Sequence, residues 1–498
     1  MPVRAGVGPW EATVVHRTLQ QLIGAVVWPD VRCSRGVAGL DDLAELIERY
    51  PPGGVIVFGE GQADVERLLA ELRRRTGDEL LVSSDLERGC GQQVSERSRL
   101  PPAMALAACD LPDASYEAGL LTGAEARAAG IDVVYAPVAD VNTAASNPII
   151  ATRAFGDDAH RVAQHAVAFA RGVADGGALA VAKHWPGHGS TVQDSHDELA
   201  RVTRDADGLH GTDLLPFRAL VAAGVGGLMI GHLEVPALDP VPGRPATASP
   251  VLVQELLREG LGFEGLAITD ALNMGGFRQE PAAVTDVLLA GVDVALMPSE
   301  PLAACQSLER AVEQGQLELG CLQRAAARID RARERVRSAS TPQRLPTTDL
   351  GERLLAASIT AGAQRPVQLR RGQSVDLQIF GEDTGGFVLS AFKEALLAAG
   401  LSLAPDGLPL GLALTNVAAW SGSSRLAPTD RERLHWAVAN GRLAQVVVLG
   451  SPYELIELPP GCPGLLAYEA SPAAAFAVLA VLTGQADAPG RLPVGGAA

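Results

Sequence analysis

Lysine is nearly missing from this chain. Its 498 residues include 41 basic side chains, yet Lys183 and Lys393 are the only lysines. Arginine is the default cation here, so a lysine in a conspicuous place suggests that a compact point charge is wanted. Positive charge is short overall: 41 basic against 58 acidic residues leave a net charge of −17. That balance argues against nucleic acid or an anionic membrane as the main partner. The cysteines lack close pairs. Cys33, Cys90, Cys109, Cys305, Cys321 and Cys462 are widely spread with no CxxC, which excludes a disulfide scaffold or zinc-finger spacing and reads as reduced, partly buried thiols. No apolar run reaches the roughly 18 residues of a membrane span. Residues 1–14 have no apolar stretch behind a basic start, so no signal peptide is read there. A cytoplasmic protein is the expectation.

What is present is a globular composition, 47% hydrophobic with scattered charge. The length exceeds one ordinary core, so two domains are expected. Short apolar runs recur between amphipathic, helix-like segments: 22–28, 55–58, 80–84, 133–141, 178–182, 227–231, 266–269 and 292–297. Eight strand candidates alternating with helices predict an α/β fold, a (β/α)8 barrel of the TIM type. Asp85, Asp140, Asn142, Lys183, His184, His232 and Asp270 stand at or just beyond the C-terminal ends of these runs. In such barrels the βα loops converge on that face and build the active site.

Beyond residue 300 the texture changes. Residues 302–337 are rich in Ala, Arg and Glu at helical spacing, and 342–348 are rich in Pro and Thr, as in a linker. Strands are then expected at 375–380, 410–414 and 446–449, with helices at 387–399 and 430–439. The predicted organisation is a catalytic barrel over 1–340, a linker over 341–370 and a smaller α/β sandwich domain over 371–498. Few acids or histidines cluster in this last part, which reads as a structural partner of the barrel.

The densest chemistry lies in Lys183-His184-Trp185-Pro186-Gly187-His188-Gly189, followed by Asp194-Ser195-His196. An acid two residues before a histidine can accept from one imidazole nitrogen and raise the basicity of the other. Asp270, delivered by a strand to a Gly-bounded turn, has the chemistry of a carboxylate nucleophile. The pair suits covalent displacement at an acetal carbon, with Asp270 attacking and His196 protonating the leaving oxygen. Retaining glycosidases normally use two carboxylates; a histidine acid departs from that, but a pKa near 6.5 suits proton shuttling at neutral pH. Asp85, Arg153, Lys183 and His184 can hydrogen-bond sugar hydroxyls or an acyl group. His188 reads as holding the loop's shape. A metal site on His184, His188, His196 and Asp194 is the competing reading. The spacing is not HExxH and Lys183 would set a cation beside the metal, so neither metal nor cofactor is expected.

These residues resemble glycoside hydrolase family 3, in its β-N-acetylglucosaminidase (β-N-acetylhexosaminidase) branch. The resemblance rests on the Lys183–Gly189 run with Asp194-Ser195-His196, and on Ala136-Pro137-Val138-Ala139-Asp140-Val141-Asn142. Asn147-Pro148-Ile149-Ile150 with Arg153-Ala154-Phe155-Gly156, Ile268-Thr269-Asp270-Ala271-Leu272-Asn273-Met274 and Gly490-Arg491-Leu492-Pro493-Val494 extend it over nearly the whole chain. It implies Asp270 as nucleophile, His196 paired to Asp194 as acid/base, and Asp85, Arg153, Lys183, His184 and Met274 around the sugar. One stretch departs: where the family often has Asp-Gln-Glu-Gly-Gly-Arg, this chain has Asp85-Leu86-Glu87-Arg88-Gly89-Cys90-Gly91. The implied activity is retaining exo-hydrolysis of terminal β-linked GlcNAc from soluble glycans or cell-wall fragments. A phosphorylase or a β-glucosidase on the same scaffold, and a non-catalytic sugar-binding protein, are the alternatives. A small carbohydrate is the expected partner, with no nucleic acid and no membrane; the sequence does not set the oligomeric state.

Overall fold

The computed structural model describes residues 17–109, 111, 113–277, 283–340, 342, 344–383, 386–416 and 423–495. In chain order the first strands are β1 (Val27–Trp28), β2 (Asp30–Arg32), β3 (Gly54–Phe58), β4 (Leu81–Ser84), β5 (Val133–Val134) and β6 (Leu179–Trp185). They continue with β7 (Ala200–Arg201), β8 (Gly227–Ile230), β9 (Leu233–Glu234), β10 (Leu266–Thr269) and β11 (Ala295–Leu296). A seven-stranded sheet runs β10-β8-β6-β5-β4-β3-β2, and its pairs are parallel. The strands are buried almost throughout, as expected where helices cover a parallel sheet. The sheet curls. Only Pro29 separates β2 from β1, β1 pairs in parallel with β11, and Ile268 of β10 bridges to Val294. This is an α/β barrel.

Three expected strands change; one of them, 292–297, shrinks to β11. The run 22–28 is mostly helix: Leu19–Val26 is α-helical and only Val27–Trp28 is extended. The cause is local. The Thr18 hydroxyl accepts from Gln21 N–H and the Gln21 side chain accepts from Thr18 N–H, a capping box that starts a helix just ahead of the apolar run. The run 133–141 shrinks to β5 plus one bridge from Val138 to Lys183, because Pro137 offers no N–H to the ladder. The helical stretch 302–337 is two helices, Pro301–Glu313 and Leu319–Ser338.

After the barrel come β12 (Thr360–Ala361), β13 (Ser374–Phe380), β14 (Ser402–Leu403), β15 (Leu408–Leu414), β16 (Gln445–Leu449) and β17 (Gly464–Ala467), in the sheet order β12-β17-β16-β15-β13-β14. Alternation sends Leu410, Leu412, Leu414, Val447 and Leu449 into one apolar cluster and Ala413, Val446, Val448 and Leu466 into another, as a period of two requires. The second cluster also takes Met104, Ala105 and Ala108, from the barrel-side helix Ala103–Ala108. The six-stranded sheet therefore packs directly on the barrel.

Candidate active site

The polar strand ends do converge at the C-terminal face. Asp85 follows β4, and Lys183 and His184 lie in β6. That strand carries a register shift between Ala182 and Trp185. A bulge breaks the alternation of neighbouring side chains, and both Lys183 and His184 engage acids at the barrel mouth. The Lys183 ammonium donates to Asp85 Oδ1 at 2.6 Å and sits 2.7 Å from Glu87 Oε1. The Arg153 guanidinium forks onto Glu87, Nε to Oε2 at 2.9 Å and one terminal nitrogen to Oε1 at 2.7 Å, while the other donates to the Ile149 carbonyl at 3.0 Å.

Burial works against the Lys183 charge, but Asp85 and Glu87 outweigh it and raise the ammonium above its ordinary range. The Glu87 carboxyl is held far below its ordinary range: burial alone would raise it, and Arg153 and Lys183 reverse that. Glu87, Arg153 and Lys183 are charged at neutral pH. Glu87 was given no role on sequence, although it stands two residues after Asp85 in the same loop. That two-residue offset is the signal that could have found it.

Asp140 orients His184. Its carboxylate, fully buried, accepts from His184 Nδ1–H at 2.7 Å and from the backbone N–H of His188 at 2.7 Å. A charged acceptor on Nδ1 fixes the tautomer and leaves Nε2 as the other face of the ring. Burial would raise the Asp140 carboxyl, but His184 and His188 pull it below the carboxylate range. Asn142, at the same strand end, turns elsewhere: its amide donates to the Tyr453 hydroxyl at 2.9 Å.

Asp270 follows β10 and is partly exposed. Ala271 N–H donates to its Oδ1 at 2.8 Å. Burial pushes this carboxyl upward, yet His184 and His232, the Ala271 N–H and Lys183 together hold it below the usual range. It is an anion, with the Lys183 ammonium among the groups that favour its charge. His232 braces the turn, with Nε2 donating to the Ala271 carbonyl at 3.1 Å and Nδ1 3.0 Å from the Thr247 hydroxyl. Met274 lies in this turn, its N–H on the Ala271 carbonyl at 3.0 Å.

Asp194 and His196 pair. Asp194 Oδ1 accepts from His196 Nδ1 and from His196 N–H, each at 2.8 Å. The ring is about one-third exposed, at 34%. The loop rests on the Asp270 turn: Gly275 N–H donates to the His196 carbonyl at 2.8 Å, and Gly276 N–H to the Ser195 carbonyl at 3.0 Å. The sequence-predicted residues thus form two hydrogen-bonded groups at one barrel face: the charged cluster with Asp85, Arg153 and Lys183, and the joined loops of Asp194, His196, Asp270 and Met274. The His184 ring, held by Asp140, acts electrostatically on Asp270. Among the described residues no group of three or more His, Cys, Asp and Glu is placed to hold a metal ion. No helix among them is long and apolar enough to cross a membrane.

The model for the glycosyl hydrolase family 3 N terminal domain matches residues 18–336. The chain belongs to glycosyl hydrolase family 3. A beta-hexosaminidase of Methylococcus capsulatus is 36% identical over 302 residues, covering 59% of this chain and 89% of the relative. Beta-hexosaminidase A of Pseudoalteromonas piscicida is 33% identical over 283 residues, 52% of this chain but only 47% of that longer protein. Among solved structures, a family 3 beta-N-acetylglucosaminidase from Paenibacillus is 28% identical with a TM-score of 0.82, covering 96% of this chain and 99% of its own. A beta-glucoside phosphorylase superposes at a TM-score of 0.84 with 21% identity, a likeness of fold alone. As a family 3 member the chain is a glycoside hydrolase.

Proposed function

We propose that this protein is a retaining exo-β-N-acetylglucosaminidase that removes terminal β-linked GlcNAc from soluble glycans or cell-wall fragments. The observation that carries the reading is the joining of the Asp194–His196 pair to the Asp270 turn. Asp270 attacks the anomeric carbon and the bond to the aglycone oxygen breaks. That oxygen takes a proton from His196 Nε2, while Asp194 steadies the imidazolium through Nδ1. Water then attacks the glycosyl ester and gives its proton back to His196 Nε2. The ester bond breaks, Asp270 is freed, and two inversions return the β configuration. Asp85, Arg153, Lys183 and His184, with Met274 at the turn, hold the sugar. Carboxylate acceptors beside an ammonium and an imidazole match the donors and acceptors of hydroxyl and acetamido groups. The hexosaminidase names of the relatives and the acetylglucosaminidase title of the Paenibacillus structure support this substrate.

The division we propose is a catalytic unit over 1–340, a connection over 341–370 and an α/β sandwich unit over 371–498. Helix Leu350–Ser358 and β12 fall within that connection. Six free cysteines fit a reducing compartment such as the cytoplasm.

The test is a set of initial rates on aryl β-GlcNAc and aryl β-glucoside, without phosphate and with it added. Preference for the GlcNAc glycoside with no need of phosphate is the expected result. Preference for the glucoside, or turnover only with phosphate, would overturn the assignment in favour of a β-glucosidase or a phosphorylase.

A further inference from the structure

The loop that carries His196 is tied down by a side chain the hydrolytic steps do not use. Ser195 is 1% exposed, while both its neighbours reach solvent. Its hydroxyl lies 2.9 Å from His188 Nε2. Thr191 gives the direction of that bond. The Thr191 hydroxyl donates to the His188 carbonyl at 3.0 Å, so its single proton is committed. Toward His188 Nδ1, 2.6 Å away, it therefore accepts. His188 then carries its proton on Nδ1, Nε2 is a bare acceptor, and Ser195 donates to it. Burial, then the neighbouring His184, keeps this ring neutral, its pKa pushed down to about 4. The His188 backbone is itself fixed, by its N–H on Asp140 and by Asn147 Nδ2 donating to its carbonyl at 2.9 Å.

The loop thus has anchors on two sides. Gly275 and Gly276 hold the carbonyls of His196 and Ser195, and His188 holds the Ser195 side chain. Backbone bonds on one side leave a short turn free to swing about them. A second anchor from another segment, the one after β6, removes that freedom, and proton transfer depends on the donor being in place.

We propose that Ser195 and His188 form a latch that holds the His196 loop closed on the Asp270 turn, so that both are positioning residues for the proton donor. The proposal rests on the reading of His196 as acid/base. An open latch slows only those reactions whose leaving oxygen needs a proton. Loop motions of this kind commonly gate turnover.

The experiment measures kcat/KM for Ser195→Ala, His188→Ala and the double variant on phenyl and 2,4-dinitrophenyl β-GlcNAc, with His196→Ala alongside. Circular dichroism confirms folding, and the two single variants back each other should one be unstable. With one hydrogen bond lost, the phenyl substrate should fall about 10-fold and the dinitrophenyl substrate less than about 3-fold, because its leaving group departs unprotonated. The double variant should be no worse than the poorer single one. Equal loss on both substrates, no loss, or additive losses would overturn the latch. If His196→Ala is selective for the phenyl substrate and Ser195→Ala is not, the latch fails and the acid/base reading stands. If His196→Ala itself loses both substrates equally, the acid/base reading fails and the latch with it.

Discussion

Asp270 and His196 carry different halves of the chemistry, so their variants should fail differently. Asp270→Asn should lower kcat/KM by about 10³-fold or more on every aryl leaving group, because the bond-forming oxygen is gone. Activity within 10-fold of the wild type, about 1.4 kcal/mol, would remove Asp270 from the mechanism. His188 also predicts a pH effect on stability. Its unfolded imidazole takes a proton near 6.5 and its folded one near about 4. Between those values the unfolded chain binds more protons, so stability is complete above pH 6.5 and is lost as pH falls toward 4. The contribution is on the order of 3 kcal/mol. Melting temperatures from pH 7 to 4.5 should fall more steeply for the wild type than for His188→Ala; parallel curves would contradict this. At this scale the sequence was readable where one residue does one job. Lys183 stood out as one of two lysines, and Asp194 and His196 by their spacing. Asp140 was legible as a strand-end residue and Glu87 by its offset from Asp85, but their partners His184 and Arg153 stand on neighbouring strand ends 44 and 66 residues away, and local spacing does not record those pairings.

Among the elements, the decisive one is the turn after β10. Its glycines let two loops share hydrogen bonds. A Cβ at Gly275 would stand 2.5 Å from the Asp197 carbonyl and 2.7 Å from that of His196. Both contacts are backbone, so Gly275→Ala must push the His196 loop away from the Asp270 turn. We expect kcat/KM to fall by about 100-fold with near-normal melting behaviour, since the strain falls on surface loops and not on the core. A variant with wild-type rates would show that this contact is dispensable. Strands 54–58, 81–84, 227–230 and 266–269 were legible within a residue or so because each is a short, mainly apolar run. The capping box at Thr18 and the break at Pro137 were written in the sequence too, but apolar periodicity outweighed them in the reading. Residues 30–32 and 464–467 escaped it altogether. Asp30 and Arg32 gave the first a polar pattern; the second, Gly464-Leu465-Leu466-Ala467, is an apolar run that the reading passed over.

For the whole molecule, the second unit does more than hang from the barrel. Ser424 donates to the Asn147 carbonyl at 2.9 Å, and Asn147 in turn holds His188 and, through Ile149, the loop that carries Arg153. Arg88 pairs with Glu469 across the same boundary. Met104, Ala105 and Ala108 are almost fully buried within the shared cluster. A chain ending at Ser340 would expose them, a loss of roughly 25 cal/mol per Å² of apolar surface. Such a chain should melt lower and turn over more slowly than the full protein; equal stability and kinetics would make the second unit a passive appendage. The sequence placed this unit after the barrel as its structural partner but did not show which residues dock, because the contacting residues lie hundreds of positions apart.

The most direct measurement is mass mapping of the enzyme trapped with a slow fluorinated GlcNAc substrate that forms its glycosyl ester faster than it hydrolyses. A glycosyl adduct on Asp270, with β-GlcNAc as the first product of normal turnover, is the predicted result. An adduct on another residue, or an α-anomer released first, would contradict the mechanism.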